Sequence, residues 1–112
     1  MIIFSRNRRL RLNESIRSLV RETVLTTNDF VMPMFVMEGE NTQEAISSMP
    51  GIFRRTIDLT VKECRELFSL GVKAVNIYMK VPEHLKDNLG KEAWNKDGLM
   101  QRTIREIKNA VP

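Results

Sequence analysis

The chain has 112 residues, enough for one small domain with a modest core. Hydrophobic residues make up 42% and charged residues 29%, ordinary values for a folded domain that exclude disordered and fibrous classes. No window approaches the roughly 18 consecutive apolar residues of a membrane span, and Met1-Ile2-Ile3-Phe4 is apolar before it is basic, the reverse of a secretory leader.

One cysteine, Cys64, cannot form an internal disulfide. That agrees with a reducing compartment, and the expected location is cytoplasmic. The charge is unevenly placed. Arg6, Arg8, Arg9 and Arg11 carry four positive charges with no acid among the first twelve residues, and the rest of the chain balances 14 basic against 14 acidic residues. An Arg-rich arm can bind nucleic acid through phosphate neutralisation. It can equally wrap a neighbouring subunit, pairing guanidinium groups with carboxylates. No aromatic stacking residues or recognition helix accompany the arm, which disfavours nucleic acid.

In chain order, residues 1–12 lack a convincing period and are expected to be an extended arm. Asn13 is suited to cap a short helix carrying Ile16, Leu19 and Val20, with Arg17 and Arg21 on its polar side. Thr26-Thr27-Asn28-Asp29 is a cluster of turn and cap formers. Val31 to Met37 is then apolar on both alternating faces, interrupted only by Pro33. Such a run predicts a parallel strand buried on both sides. Pro33 removes a ladder donor and therefore predicts an edge, a bulge or an early end near that point. Glu38-Gly39-Glu40 begins a polar loop that Met49-Pro50-Gly51 closes. Because ligands usually bind at the carboxyl ends of parallel strands, this loop is the first place to look for function.

Ile52-Phe53 is too short to assign. Asp58 is expected to cap a helix running to about Leu70, with Gly71 as a left-handed C-cap. Val72 to Val81 predicts the second strand. A loop over residues 82–96 follows, and Asp97 is expected to cap a last helix with Leu99, Met100, Thr103, Ile104 and Ile107 as its buried stripe. Strand, helix and strand make a parallel unit of fixed hand. Two parallel strands alone leave both sheet edges open, so the pattern reads as a piece of something larger. The fold class is α/β: two βα units opening a (β/α)₈ barrel, a fold of about 250 residues, preceded by an N-terminal arm. The division is an arm and short helix over 1–24 and the βα units over 25–112.

Few residues offer chemistry. Lys80 ends the second strand, where a Schiff-base lysine can sit in a barrel enzyme, but a solvent-facing lysine at a strand end is the simpler reading. His84 has no second His or Cys near it in sequence and reads as a surface residue. Cys64 lies on the apolar side of its helix and reads as core. Glu38 and Glu40 form a carboxylate pair on paper and are more simply solvated loop acids. Lys86, Asp87 and Lys91 are ordinary loop charges, and the seven methionines are core filling. No phosphate-binding glycine loop, zinc spacing or nucleophile elbow is present. The residues alone name no reaction.

Three islands do match a family. They are Val20-Arg21-Glu22-Thr23 with Leu25, Asp29 and Pro33 to Gly39; Ser48-Met49-Pro50-Gly51 with Arg54; and Leu85-Lys86-Asp87, Gly90, Ala93-Trp94-Asn95, Gly98-Leu99, Gln101-Arg102 and Ile107-Lys108. In this order and spacing, from about Arg8 to Pro112, the chain resembles the N-terminal portion of δ-aminolevulinic acid dehydratase, or porphobilinogen synthase. The resemblance implies a TIM-barrel enzyme whose arm embraces a neighbouring subunit, commonly in a homo-octamer. It implies condensation of two 5-aminolevulinate molecules to porphobilinogen with loss of two waters, in tetrapyrrole synthesis. It also implies two Schiff-base lysines and zinc or magnesium, with both lysines and the metal-binding cysteines falling later than Pro112. No catalytic or metal-binding residue is therefore carried onto this chain. The arm residues Arg6, Arg8, Arg9 and Arg11 are carried over as a subunit contact. Where many members have Leu-Phe-Pro, this chain has Ile77-Tyr78-Met79, which changes the start of the following loop. Two rivals remain at this stage: a non-catalytic oligomerisation module and a basic nucleic-acid binder.

Overall fold

The computed structural model describes residues 5–112; the start of the expected arm, residues 1–4, lies outside the described residues. In chain order the regular elements are α1 (Glu14–Val20), β1 (Val31–Val36), β2 (Gln43–Ala45), β3 (Phe53–Arg55), α2 (Ile57–Ser69), β4 (Ala74–Met79) and α3 (Leu99–Ala110). β1 and β4 run parallel in register from Val31↔Ala74 to Val36↔Met79, with α2 between them in sequence, as the parallel unit requires.

The sheet is larger than two strands. β2 and β3 form an antiparallel hairpin, and β3 also pairs parallel to β1 at Phe35↔Arg54 and Val36↔Arg55, giving the order β2-β3-β1-β4. This corrects the expectation of a bare pair of strands, because the hairpin fills one side of the carboxyl half of β1. Each hairpin strand has three residues, too short for a two-residue period to register. Its tip is the Met49-Pro50-Gly51-Ile52 turn, closed by Ile52 N–H to Met49 C=O at 3.1 Å with Gly51 at φ +81°, as a Pro-Gly turn with positive φ at its third residue requires.

Pro33 sits where its missing donor costs nothing. Lys80 N–H donates to Val36 C=O, while Met37 N–H donates to Arg55 C=O. Backbone groups alternate sides along a strand, so Pro33 faces the β3 side. There β1 is unpaired until Phe35.

The helix caps differ from expectation by one or two residues. α2 begins at Ile57 with Thr56 at its N-cap, and Asp58 lies within the first turn. There the Asp58 Oδ2 accepts from Asn41 N–H at 3.0 Å, which ties the loop after β1 to the helix start. α3 is capped by Gly98, not Asp97. A Cβ at Gly98 would lie 3.1 Å from the Asn95 backbone carbonyl oxygen, tighter than ordinary contact, and beside the movable ends of Gln101 and Glu92. The end of α2 is as read. Gly71 has φ +90°, Gly71 N–H reaches Phe68 C=O, and Val72 N–H reaches Leu67 C=O, both at 3.0 Å. That pair of bonds is the Schellman arrangement. The second strand is shorter than the expected 72–81 because Gly71-Val72-Lys73 completes this cap and its exit.

The two long helices cover one face of the sheet. Met34, Cys64 and Ile107 form the buried cluster, with Met32, Val61, Leu67, Val75, Ile77 and Val111 packed around it. In α3, Leu99, Thr103 and Ile107 are buried, but Ile104 is 45% exposed and leaves the expected stripe. The opposite face of the sheet is uncovered. Val31 is 58% and Tyr78 48% exposed, so the apolar character of β1 on both faces does not correspond to burial on both faces within this chain.

The arm stands away from this two-layer body. The radius of gyration is 22.1 Å with extents of 74 × 34 × 27 Å, against about 13 Å for a compact domain of this length. Asn13 caps α1 as expected, its Oδ1 accepting from Ile16 N–H at 3.0 Å, but no residue of α1 is buried. Arg17 and Arg21 both pair with Glu14, at 3.0 and 2.7 Å. Arg9–Arg11 makes a single 3₁₀ turn within the stretch expected to be an extended arm.

Candidate active-site face

β1 and β4 present their carboxyl ends together, and the uncovered face there carries a row of side chains that pair in register across all four strands: Glu44, Arg54, Phe35 and Tyr78. Residues opposite one another in a sheet share a face. Phe35 and Tyr78 stack, with ring centroids 5.5 Å apart and planes 24° from parallel. Asn76 Nδ2 donates to the Tyr78 hydroxyl at 2.9 Å, filling one acceptor position and leaving the phenol proton available to an acceptor in front of the sheet. Glu44 lies 3.7 Å from Arg54 Nη1 and 3.5 Å from Lys80 Nζ. One carboxylate thus serves two cations.

The loops around this row are held from behind. Thr42 N–H donates to Thr56 Oγ1 at 3.2 Å, and Thr56 N–H donates to Thr42 C=O at 3.1 Å. The Thr56 hydroxyl, together with the Asn41 N–H, holds the Asp58 carboxyl below its ordinary range. Glu38 is not a loosely solvated acid: it pairs with Arg102 of α3, whose Nε also donates to Asp97 C=O at 2.9 Å. Asp87 is likewise structural, its Oδ1 accepting from Leu89 N–H at 3.0 Å and Lys91 N–H at 3.1 Å.

The remaining residues singled out in sequence fall apart in space. Lys80 is an exposed amine beside a carboxylate, unlike a lysine desolvated in an apolar pocket for Schiff-base chemistry. His84 lies exposed in a 3₁₀ turn. Cys64 is buried against Met34, Sγ to Sδ 3.6 Å, and burial pushes its thiol up. Glu40 is exposed with Thr42 Oγ1 on its backbone carbonyl. Among the described residues no three His, Cys, Asp or Glu side chains cluster in a way that could hold a metal ion. The donors among the described residues do not fit a zinc or magnesium centre. Arg54 was visible only as part of a matching string. Glu44, Asn76 and the Phe35–Tyr78 pair emerge only once register is known.

The family model for delta-aminolevulinic acid dehydratase matches residues 4–112. The chain belongs to the delta-aminolevulinic acid dehydratase family. It is 47% identical over 107 residues to the delta-aminolevulinic acid dehydratase of Helicobacter pylori (strain J99), covering 95% of this chain and 32% of that protein. It is 43% identical over 109 residues to the chloroplastic enzyme of Chlamydomonas reinhardtii, covering 96% and 28%. The backbone superposes with a TM-score of 0.91 and 38% identity on the Toxoplasma gondii ME49 enzyme, solved in complex with the reaction product porphobilinogen, over 98% of this chain and 31% of that one. The chain thus spans about a third of the length of these relatives, as an N-terminal portion of the dehydratase. None of the described helices is long and apolar enough to cross a membrane.

Proposed function

We propose that this chain is the N-terminal third of a cytoplasmic porphobilinogen synthase, opening a (β/α)₈ barrel that condenses two 5-aminolevulinate molecules to porphobilinogen with loss of two waters. The observation that carries the reading is the match of the family model over residues 4–112, joined to a TM-score of 0.91 with a relative holding porphobilinogen. In this reading β1–α2 and β4–α3 are the first two βα units, and the β2–β3 hairpin is an insertion in the first. The uncovered face with Phe35 and Tyr78 then looks into the barrel, which explains why apolar residues on both faces of β1 are not both buried here.

The 112-residue chain alone is inactive in this account, because the lysines that form Schiff bases belong to the part of the barrel outside it. Zinc or magnesium, where the enzyme uses it, is likewise bound outside it. The arm (residues 1–24) contacts a neighbouring subunit of a homo-octamer through Arg6, Arg8, Arg9 and Arg11, and the body (25–112) forms the barrel. Two observations support the arm's role. None of these four arginines has an acidic partner among the described residues, and Leu10, Leu12 and Leu19 beside them are exposed.

A direct test is borohydride trapping. A lysine amine and the ketone of 5-aminolevulinate lose water to form an imine, which borohydride reduces to a stable secondary amine detectable by mass. The 112-residue chain should gain no such adduct and release no porphobilinogen. A specific adduct on Lys80, or turnover by this chain alone, contradicts the reading.

A further inference from the structure

The uncovered face of the sheet grades from apolar to polar toward the carboxyl ends of β1 and β4. Its opposed pairs are Val31↔Ala74, then Pro33↔Asn76, then Phe35↔Tyr78. Arg54, Glu44 and Lys80 form a charged rim at that end. Ligands of parallel α/β folds bind at the carboxyl ends of the strands. The interior of a (β/α)₈ barrel is filled chiefly by branched apolar side chains. An amide and a phenol joined on that face, Asn76 and Tyr78, depart from this pattern.

Tyr78 is held on two sides. Its ring stacks on Phe35, and its oxygen accepts from Asn76 Nδ2 at 2.9 Å. With the oxygen engaged as an acceptor, the phenol keeps one proton to donate. Tyr78 is 48% exposed in this chain, so solvent can accept that proton. Inside a closed barrel the same donor loses solvent, and a buried donor left unpaired is costly. The chemistry of its acceptor follows from the neighbours. Both rim cations, Arg54 and Lys80, already have the Glu44 carboxylate beside them, and the group fixed on the phenol is a neutral amide. A neutral carbonyl oxygen suits such a donor, whereas a carboxylate is better met by a guanidinium or ammonium group of its own.

We propose that Tyr78 is a substrate-binding residue whose hydroxyl donates a hydrogen bond to the ketone oxygen of 5-aminolevulinate. The proposal rests on the barrel reading above, which turns this face inward, and deepens it by naming an atom that meets the substrate. Asn76 is the positioning residue: its amide occupies the phenol oxygen and aims the proton away from the sheet. The Phe35 ring keeps the phenol from swinging aside. A donor fixed in this way before the substrate arrives orients and polarises the carbonyl without reorganising first.

The test joins this chain at Pro112 to the portion of the Helicobacter pylori relative that follows its matched stretch, and compares the folded chimera with its Tyr78→Phe variant. Two acids isolate the carbonyl. Succinamate carries a carbonyl where the substrate has its ketone, as an amide that does not condense with amines, and pentanoate lacks that oxygen. Tyr78→Phe should weaken succinamate binding by roughly three- to tenfold, the effect of one hydrogen bond, and leave pentanoate binding unchanged. The kcat/KM for 5-aminolevulinate should fall by a similar factor. Asn76→Ala should weaken succinamate binding less, and adding it to Tyr78→Phe should bring no further loss, because the amide acts only through the phenol. Equal effects on the two acids, no effect on either, or an unchanged kcat/KM overturns the proposal, and porphobilinogen formed in those cases leaves the enzymatic reading standing. Tyr78-dependent binding of succinamate without porphobilinogen upholds the proposal and counts against the enzymatic reading. A folded chimera that binds neither acid and forms no porphobilinogen contradicts both.

Discussion

Arg55 at the end of β3 reaches Glu63 in the middle of α2, Nη1 to Oε2 2.6 Å, with both side chains about three quarters covered. The pair clamps the hairpin to the helix layer and gives the short β3 strand a reason to exist. Exposed pairs contribute roughly 0.2–1 kcal/mol, and breaking fully buried ones costs roughly 3–5 kcal/mol. Arg55→Ala should therefore lower unfolding stability by about 1–2 kcal/mol in urea titrations. A double-mutant cycle with Glu63→Gln should show coupling between the two positions, and additive single effects would count against the clamp.

Gly71 and Gly51 both have positive φ, but their surroundings differ. A Cβ at Gly71 would meet Thr27 Oγ1 at 2.8 Å, whereas one at Gly51 would meet nothing within 4 Å. Gly51→Ala should cost about 1–2 kcal/mol, the backbone penalty alone. Gly71→Ala should cost more, and Thr27→Ala should recover only the excess. Equal costs for the two glycines would show that Thr27 yields freely.

Asp58 should make stability fall at acid pH. Its folded carboxyl is held below the ordinary value of 3.8 by the Thr56 hydroxyl and the Asn41 N–H, with burial opposing them. A depressed folded value means that the contribution is present above the unfolded value and is lost as pH falls through the folded one. Asp58→Asn should flatten the pH dependence of stability below about pH 4 and leave its shape near pH 7 unchanged. An NMR titration placing Asp58 above 3.8 would contradict this.

Cys64 should react slowly. It is 4% exposed, and burial raises its thiol, so thiolate is scarce at neutral pH. A thiol reagent at pH 8 should label it far more slowly in the folded chain than in urea. Comparable rates would mean that α2 opens readily from β1.

Much of this arrangement was legible in the sequence because it depends on neighbours along the chain. The Asn13 cap, the Gly71 stop, β1, β4 and the Leu99–Thr103–Ile107 stripe follow from residue type and period. What was not legible depends on pairing across the sheet. The hairpin strands are three residues each and carry no period. Thr56 and Gly98 stand at the N-cap positions in place of Asp58 and Asp97, and Thr56 is tied to Thr42, which lies 14 residues away in the chain. The row Glu44–Arg54–Phe35–Tyr78 exists only once four strands are in register. The exposure of Tyr78 reflects what covers a face, which local pattern does not encode.

The most direct test of the central claim joins this chain at Pro112 to the portion of the Helicobacter pylori relative that follows its matched stretch and assays the purified chimera with 5-aminolevulinate. The account predicts porphobilinogen formation by the chimera and none by the 112-residue chain. A chimera that folds and assembles but forms no porphobilinogen would contradict it.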